Sequence, residues 1–350
     1  MEQFGVRSRR KEPAMKLSRS PLVRISVLLL MLTTSLLCAA QTYSVTDLGT
    51  LGGSSSAARA INASGQVTGS AIGSNGVNDV FRYSAGHMTN LGTLGGTVAI
   101  GNAINVSGQI AGYSTNNVTY RAFISNGNQL TDIGDLGGGS SDGYGINDLG
   151  QVVGASYLAD GEIHPFLYSN GQMTDLGTLG SNTPQWWNVA QGINNSSQVV
   201  GTSYDSVGNF FAFIWASGKM HNLGTLGGSW SQGYAINNKR QVTGLAYLRN
   251  GAAHAFLWTA GKMTDLETLG SSTSWGFGIN DSGVVVGQAT FSSTYHAFIY
   301  SAGKMTDLNT LLPPGSGWTL LSANSINNAG QIVGDGIHNG KARAFLLTPQ

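Results

Sequence analysis

Apolar residues in this chain come in short bursts. From about residue 43 onward they fill stretches of four to six positions, either uniformly apolar or alternating with polar residues, and each stretch is closed by Gly, Asn, Asp or Ser. This is the two-residue period of strands, and no stretch beyond residue 40 carries the 3.6-residue period of a helix. Three motifs recur in step with it. Ile-Asn-x-x-Gly-Gln-Val-x-Gly, or a close variant, occupies residues 61–69, 104–112, 146–154, 193–201, 236–244, 279–287 and 326–334. An apolar element centred on Phe follows each copy, at Phe81, Phe123, Phe166, Phe213, Phe256, Phe298 and Phe345. A Leu-Gly-Thr-Leu-Gly-Gly variant begins at Leu48, Leu91, Ile133, Leu176, Leu223, Leu266 and Leu308. Three markers that each recur seven times exclude coincidence.

Each unit reads as four short strands. Strand A ends in Ile-Asn, as at Tyr234-Ala235-Ile236. Strand B is the Gln-Val-x-Gly stretch (241–246), strand C carries the Phe (254–258), and strand D runs through Met-Thr-Asp-Leu (263–266). The A–B turn has Asn at its start and Gly three residues on, the first capping the turn and the second accepting a positive φ. Successive motif asparagines lie 43, 42, 47, 43, 43 and 47 residues apart, the length of a propeller blade. A lone blade cannot bury both of its faces, so blades must stack. Residues 43–48 read as a D strand with no A, B or C before it, and residues 343–347 as a C strand with no D after it. The expected fold is therefore all-β: a seven-bladed β-propeller of four-stranded blades, the last blade completed by the N-terminal strand. Closure of this kind removes the exposed edges of an open array.

Residues 1–40 read as an export signal. Arg19 and Arg24 precede an apolar run at 25–37, and Cys38-Ala39-Ala40 offers small residues for cleavage before Gln41; Met15 would start a signal of ordinary length. The run is short for a membrane span, and an uncleaved anchor is the alternative. The mature chain would then be residues 41–350, a single propeller domain outside the cytoplasm, secreted, periplasmic or at the cell surface. Removing the signal changes the charge. The full chain is formally +1, but residues 1–40 carry seven of its 18 Lys and Arg and two of its 17 Asp and Glu, leaving a net −4. That balance disfavours nucleic acid. The single cysteine, Cys38, lies in the signal, so the domain is held together without disulfides.

The triplets His254-Ala255-Phe256 and His296-Ala297-Phe298, with His164-Pro165-Phe166, resemble the bacterial extracellular repeat family called HAF, and the Gly-Thr-Leu-Gly-Gly and Ile-Asn-x-x-Gly-Gln-Val-x-Gly elements extend the likeness over residues 43–347. The resemblance implies an exported bacterial repeat protein without an established activity. Asp79, Arg121, Phe211 and Arg343 stand in or next to the place of the His in the other copies, so the imidazole is not an essential chemical group.

No nucleophile elbow, zinc-protease, phosphate-loop or complete calcium-loop motif is present, and neither a metal nor a cofactor is expected. Asp47, Asp132, Asp175, Asp265 and Asp307 share one strand-D position, with Asn90 and Asn222 in its other copies. A group repeated in nearly every blade serves the blade, as a turn acceptor. Asp142, Asp148, Asp160, Glu162, Asp205 and Asp281 break the repeat and are the candidates for acid–base chemistry. Aromatics gather elsewhere: Trp186, Trp187, Trp230, Trp275 and Trp318 in the D–A connections, Tyr144, Tyr234 and Phe277 at the start of strand A, and Tyr120, Tyr157, Tyr204, Tyr247, Phe291 and Tyr295 in the B–C loops. These connections emerge on one face, and 181–192 and 313–323 are the longest. A ligand face suited to sugar or peptide stacking is one reading, with Trp186, Trp187, Trp230, Trp275, Trp318, Tyr144 and Tyr234 as its residues; aromatics wedged between blades are the other. Exposure of the tryptophans at one end of the channel separates the two. The expected function is non-catalytic binding of a polysaccharide, an envelope component or a protein. A glycan-active hydrolase or lyase, which needs two or three irregular acids or histidines in one pocket, and a purely structural surface protein are the alternatives.

Overall fold

The computed structural model describes residues 42–180 and 188–350. Residues 1–40, read above as an export signal, and the pair Trp186 and Trp187 lie outside the described residues. Within them the chain forms seven four-stranded antiparallel sheets. Blade 1 is Gly52–Ile61, Val67–Gly73, Asn78–Ser84 and His87–Gly92, strands A to D in order, and blades 2 to 6 repeat that sequence. Blade 7 takes Trp318–Ile326, Ile332–His338 and Lys341–Pro349 from the end of the chain and its fourth strand, Tyr43–Asp47, from the beginning. Tyr43 pairs with Pro349, Val45 with Leu347 and Asp47 with Phe345. The ring is closed as the strand phase required.

The three repeated motifs each have a distinct physical task. Asn62 is buried at the A–B turn, where its Oδ1 accepts the backbone amides of Ser64 and Gln66. Its Nδ2 donates to Gln66 Oε1 at 2.8 Å and to the backbone carbonyl of Asn105, its counterpart in the next blade, at 2.9 Å. Asn105 does the same to Asn147, Asn147 to Asn194, Asn194 to Asn237, Asn237 to Asn280, Asn280 to Asn327, and Asn327 back to Asn62, at 2.9–3.3 Å. A closed belt of asparagine bonds thus circles the axis. The motif glycine on strand B answers a steric demand. A Cβ on Gly244 would collide with the Gln232 carbonyl of strand A and meet the Phe256 ring at 2.9 Å, and its six counterparts face the same strand-A carbonyl. The motif phenylalanines are all fully buried.

The apolar core lies between blades. Val200, Ala212, Ile214 and Leu223 of blade 4, for example, pack on Ile236, Val242, Ala246, Phe256 and Trp258 of blade 5. Serines reinforce these seams. Ser231 of blade 5 accepts the Ala212 amide of blade 4 and donates to the Gly224 carbonyl, and Ser56, Ser141 and Ser274 bridge their own seams alike. Where the seven A strands converge, crowding restricts side chains. One residue before the motif Ile stand Ala60, Ala103, Gly145, Gly192, Ala235, Gly278 and Ser325, and three before it only Ala or Gly. Between these two small positions lies one free to vary.

Strand A is longer than the sequence pattern indicates. In blades 1, 3 and 5 it spans ten residues from the Gly-Gly onward, because the D–A segment rejoins strand B beyond an irregular register, Gly227 opposite Leu248 and then Ser231 opposite Ala246. Trp230, Trp275 and Trp318 are therefore strand residues near the B–C turns, not loop residues. Residues 313–323 are likewise not an open loop: Trp318–Ile326 is strand, preceded by the short 3-10 turn Leu308–Leu311.

Asn237→Asp keeps the shape of the belt asparagine but removes both donations. It is expected to lower unfolding free energy by about 2–4 kcal/mol, since buried carbonyls lose their donors beside a new charge. Asn280→Asp should cost less in the same denaturant titration, because Val284 replaces the motif Gln and Asn280 makes only the inter-blade donation.

Candidate ligand-binding face

Two adjoining concavities open around the axis and between blades. The variable strand-A position places one side chain per blade toward the channel: Arg59, Asn102, Tyr144, Gln191, Tyr234, Phe277 and Asn324. With Tyr113, Gln288 and Asp335 from strand B they line an axial funnel of 510 Å³. Most of its polar groups are anchored. Asn102 donates to the Gly143 carbonyl at 2.8 Å, and Asn324 donates to the Ala58 carbonyl and to Asp335 Oδ1 at 2.8 and 2.9 Å. Tyr234 and Phe277 touch at 5.5 Å between ring centres, and Tyr113 and Tyr144 meet edge-on at 6.4 Å. Asp142, beside these two tyrosines, is pushed up to about 6 by burial, and its Oδ1 has no hydrogen-bond partner among the described residues. Burial, and then the Asp142 charge, also raise the Tyr113 and Tyr144 phenols.

The second concavity is a groove of 540 Å³ across blades 4 to 6, lined by Phe210, Trp230, Tyr247, Trp275 and Tyr295 among neutral residues. Along one side the rings run in a continuous row of tilted contacts: Tyr204 to Phe210 at 5.4 Å, Phe210 to Trp230 at 4.5 Å, and Trp230 to Tyr247 at 3.8 Å. Trp275 and Tyr295 pack edge-on at 5.7 Å. Gln232, which lines the groove, accepts the hydroxyl of Tyr234 in the funnel at 2.5 Å and so joins the two.

The candidate aromatics therefore divide. Tyr144 and Tyr234 line the funnel, Trp230 and Trp275 line the groove, and Trp318 lies apart, stacked parallel on His338 at 4.6 Å. All five are half-buried, each with ring surface open to solvent. Arg59, Asn102, Tyr113, Gln191 and Asn324 escaped the sequence reading because nothing in their chemistry is shared. For Arg59, Asn102, Gln191 and Asn324 the signal is the reverse of a motif, unrelated residue types at one fixed distance before an unchanging Ile-Asn; Tyr113 instead follows the motif glycine on strand B.

The strand-D carboxylates serve the blade as expected. Each Asp or Asn at that position accepts the backbone amide two residues on, from Asp47 with Gly49 to Asp307 with Asn309. The same carboxylates bind the cationic residue of strand C. His164 Nδ1 lies 2.8 Å from Asp175, His254 Nδ1 2.9 Å from Asp265, His296 Nδ1 2.6 Å from Asp307, and Arg121 Nε 2.9 Å from Asp132. Asp47 takes His338 at 2.8 Å, with Arg343 at 3.9 Å. Where strand D carries Asn, the His position of strand C, two residues before the motif Phe, holds no cation: Asn90 donates to Asp79 at 2.8 Å, and Asn222 stands in the blade of Phe211. The histidines stay in separate blades. The irregular acids are likewise dispersed: Asp148 and Asp281 bind Asn195, Asn238 and Asn328 at the far mouth of the channel, Asp160 and Asp205 cap turns, and Glu162 lies 3.4 Å from His164 Nε2.

The hydrogen bond to Asp175 raises the His164 imidazole despite burial. Burial raises Asp175, but bonds from His164 and the Gly177 amide outweigh it and leave the carboxyl low. A raised His stabilises below its unfolded value and loses this as pH climbs through the folded one; a lowered Asp stabilises above its unfolded value and loses this on acidification. The pair therefore contributes most between about pH 4 and 6.5. Asp175→Asn, which keeps the turn bond as Asn90 and Asn222 do, should show its largest stability loss in that window and a smaller one at pH 8, by thermal unfolding. The loss should not exceed about 1 kcal/mol, since the Asp175 side chain is 38% exposed and water screens the pair.

No family model and no curated protein matches the chain. Among solved structures it is similar to TolB from Acinetobacter baumannii, at 10% identity and a TM-score of 0.50 over 81% of this chain and 63% of that one. It is also similar to the β-propeller domain of the Trilobed protease from Pyrococcus furiosus, at 8% identity and a TM-score of 0.56 over 88% and 95%. A third likeness is to a puromycin-hydrolyzing peptidase of Mycobacterium tuberculosis, at 10% identity and 0.52 over 77% of this chain and 47% of that one. The chain thus spans less than two thirds of the TolB it matches. At these identities the likeness is one of fold, and it agrees with the sheets described above: the chain is a seven-bladed β-propeller.

Proposed function

We propose that this protein is an exported, non-catalytic propeller of the HAF-repeat kind that binds a polysaccharide through the aromatic groove and the adjoining funnel. The observation that carries the reading is the groove itself. Phe210, Trp230 and Tyr247 form a continuous row along it, with Trp275 and Tyr295 beside them, and no residue lining it is charged. Sugar rings present apolar C–H faces and neutral hydroxyls, which such walls accept by stacking and by hydrogen bonds from groups such as Gln232, Ser272 and Thr290. A protein partner would be expected to meet a larger and flatter patch. The seven-fold repetition supports a binding role too, since the only groups that recur in nearly every blade serve turns and blade seams. The dispersed acids offer no pair with opposed environments of the kind acid–base hydrolysis uses.

Binding of the purified protein to a panel of neutral polysaccharides, read by affinity electrophoresis, tests this. Trp230→Ala and Trp275→Ala should each weaken retention roughly tenfold, as central aromatic anchors do. Trp318→Ala, outside the groove, should leave retention unchanged. Equal retention of all four proteins would refute the groove. Export is tested separately by N-terminal sequencing of the protein recovered outside the cytoplasm, where Gln41 is the expected first residue.

A further inference from the structure

The funnel differs from the groove in one respect: it holds a cation. Arg59 is the only charged member of the seven-residue ring, it is exposed to the channel, and its guanidinium makes no hydrogen bond or ion pair among the described residues. The arginines of strand C contrast with it. Arg121 is held by Asp132 and Asp135, Arg343 by the Ser54 carbonyl with Asp47 nearby, and Arg82 by the Gly108 and Gly127 carbonyls and Asn128. The three strand-C arginines are thus satisfied by their own blade or the neighbouring one; Arg240 and Arg249 lie in A–B and B–C turns, whereas Arg59 lines a concave site. A guanidinium left unpaired in a concave site, with five donors in a planar fork, is matched by a carboxylate that can accept two of them.

We propose that the funnel binds the carboxylate of an acidic sugar residue, with Arg59 as its anchor. The inference rests on the glycan reading of this face and names the class of sugar. The remaining lining supports it. Gln191 and Gln288 are amides suited to ring hydroxyls, and Tyr144, Tyr234 and Phe277 give flat walls for a sugar ring. Acidic groups limit the charge the site can take. Asp335 lines the funnel and Asp142 lies beside it near Tyr113 and Tyr144, so a dianionic phosphate would meet more repulsion there than a monoanion that pairs directly with the guanidinium. The volume of 510 Å³ falls in the range of small-molecule sites. The Tyr234 hydroxyl of the funnel donates to Gln232 of the groove, so the walls of the two sites meet at one hydrogen bond.

Calorimetric titration of the purified protein with glucuronate, glucuronate methyl ester, glucose and inorganic phosphate tests the proposal. Glucuronate should bind roughly 10- to 100-fold more tightly than the ester, glucose or phosphate, the scale of a charge-assisted bond pair. Arg59→Gln should erase that preference, and Arg59→Lys should keep part of it, since a point charge remains but the fork is lost. An unfolding midpoint equal to that of the wild type is expected for both, because the side chain is exposed and unpaired. Equal affinity for acid and ester, unchanged glucuronate affinity in Arg59→Gln, phosphate binding as tight as glucuronate, or no glucuronate binding would each overturn it. Trp230→Ala titrated with a neutral oligosaccharide keeps the two readings apart: loss there alongside an unaffected Arg59→Gln leaves the groove standing and removes the funnel.

Discussion

Seven buried asparagine side chains, each donating to the backbone carbonyl of the next, close a belt around the axis of this propeller. One amide group does up to three jobs at each station. Its oxygen shapes the A–B turn by accepting two backbone amides (one at Asn105), and one N–H of Nδ2 grips the Gln of the same turn in six of the seven blades. The other N–H crosses to the neighbouring blade. A turn that is misshapen in one blade therefore loses its tie to the next. The link between local turn geometry and ring closure explains why the motif recurs with so little change in a domain that has no disulfide. Blade 6, where Val284 replaces the Gln, also has the longest belt bond, 3.3 Å.

The belt and the inter-blade cores fix how closely the A strands approach. Small residues one and three places before the motif Ile are the consequence, and the place between them escapes the constraint because it points down the channel. Arg59, Asn102, Tyr144, Gln191, Tyr234, Phe277 and Asn324 can differ without disturbing the scaffold. Side-chain variety is thus concentrated where the repeat stops dictating, at one strand-A register and in the outer ends of strands A around blades 4 to 6. Trp230 and Trp275 belong to that second set, and their aromatic neighbours come from strands B and C of their own and the adjoining blade.

The His of the His-Ala-Phe triplet has a similar explanation. It stands on strand C facing the strand-D carboxylate that already caps a turn, and Arg replaces it where the carboxylate persists. Where strand D offers Asn, no cation stands at the His position, as Asp79 and Phe211 show. Charge balance within the blade, two side chains at a time, accounts for the departures from the triplet. Both halves of each pair are visible in the sequence, but eleven residues separate His164 from Asp175, and the register that makes them neighbours is a property of the folded hairpin.

The sequence by itself determined the number of blades, the order of strands within them and the closure by the N-terminal strand, because each follows from the spacing and phase of a repeated local pattern. It also identified the strand-D carboxylates as turn acceptors, since Asx turns are made within a few residues of chain. The tertiary structure decided the rest. That the motif asparagine reaches across to the next blade, that Tyr144 and Tyr234 line an axial funnel while Trp230 and Trp275 line a groove beside it, and that Arg59 joins the former, all depend on which strand faces the axis and how the ends of strands A rejoin strands B. Those are contacts between different strands and between blades, from 15 to more than 40 positions apart, and the local pattern does not say which residues they bring together.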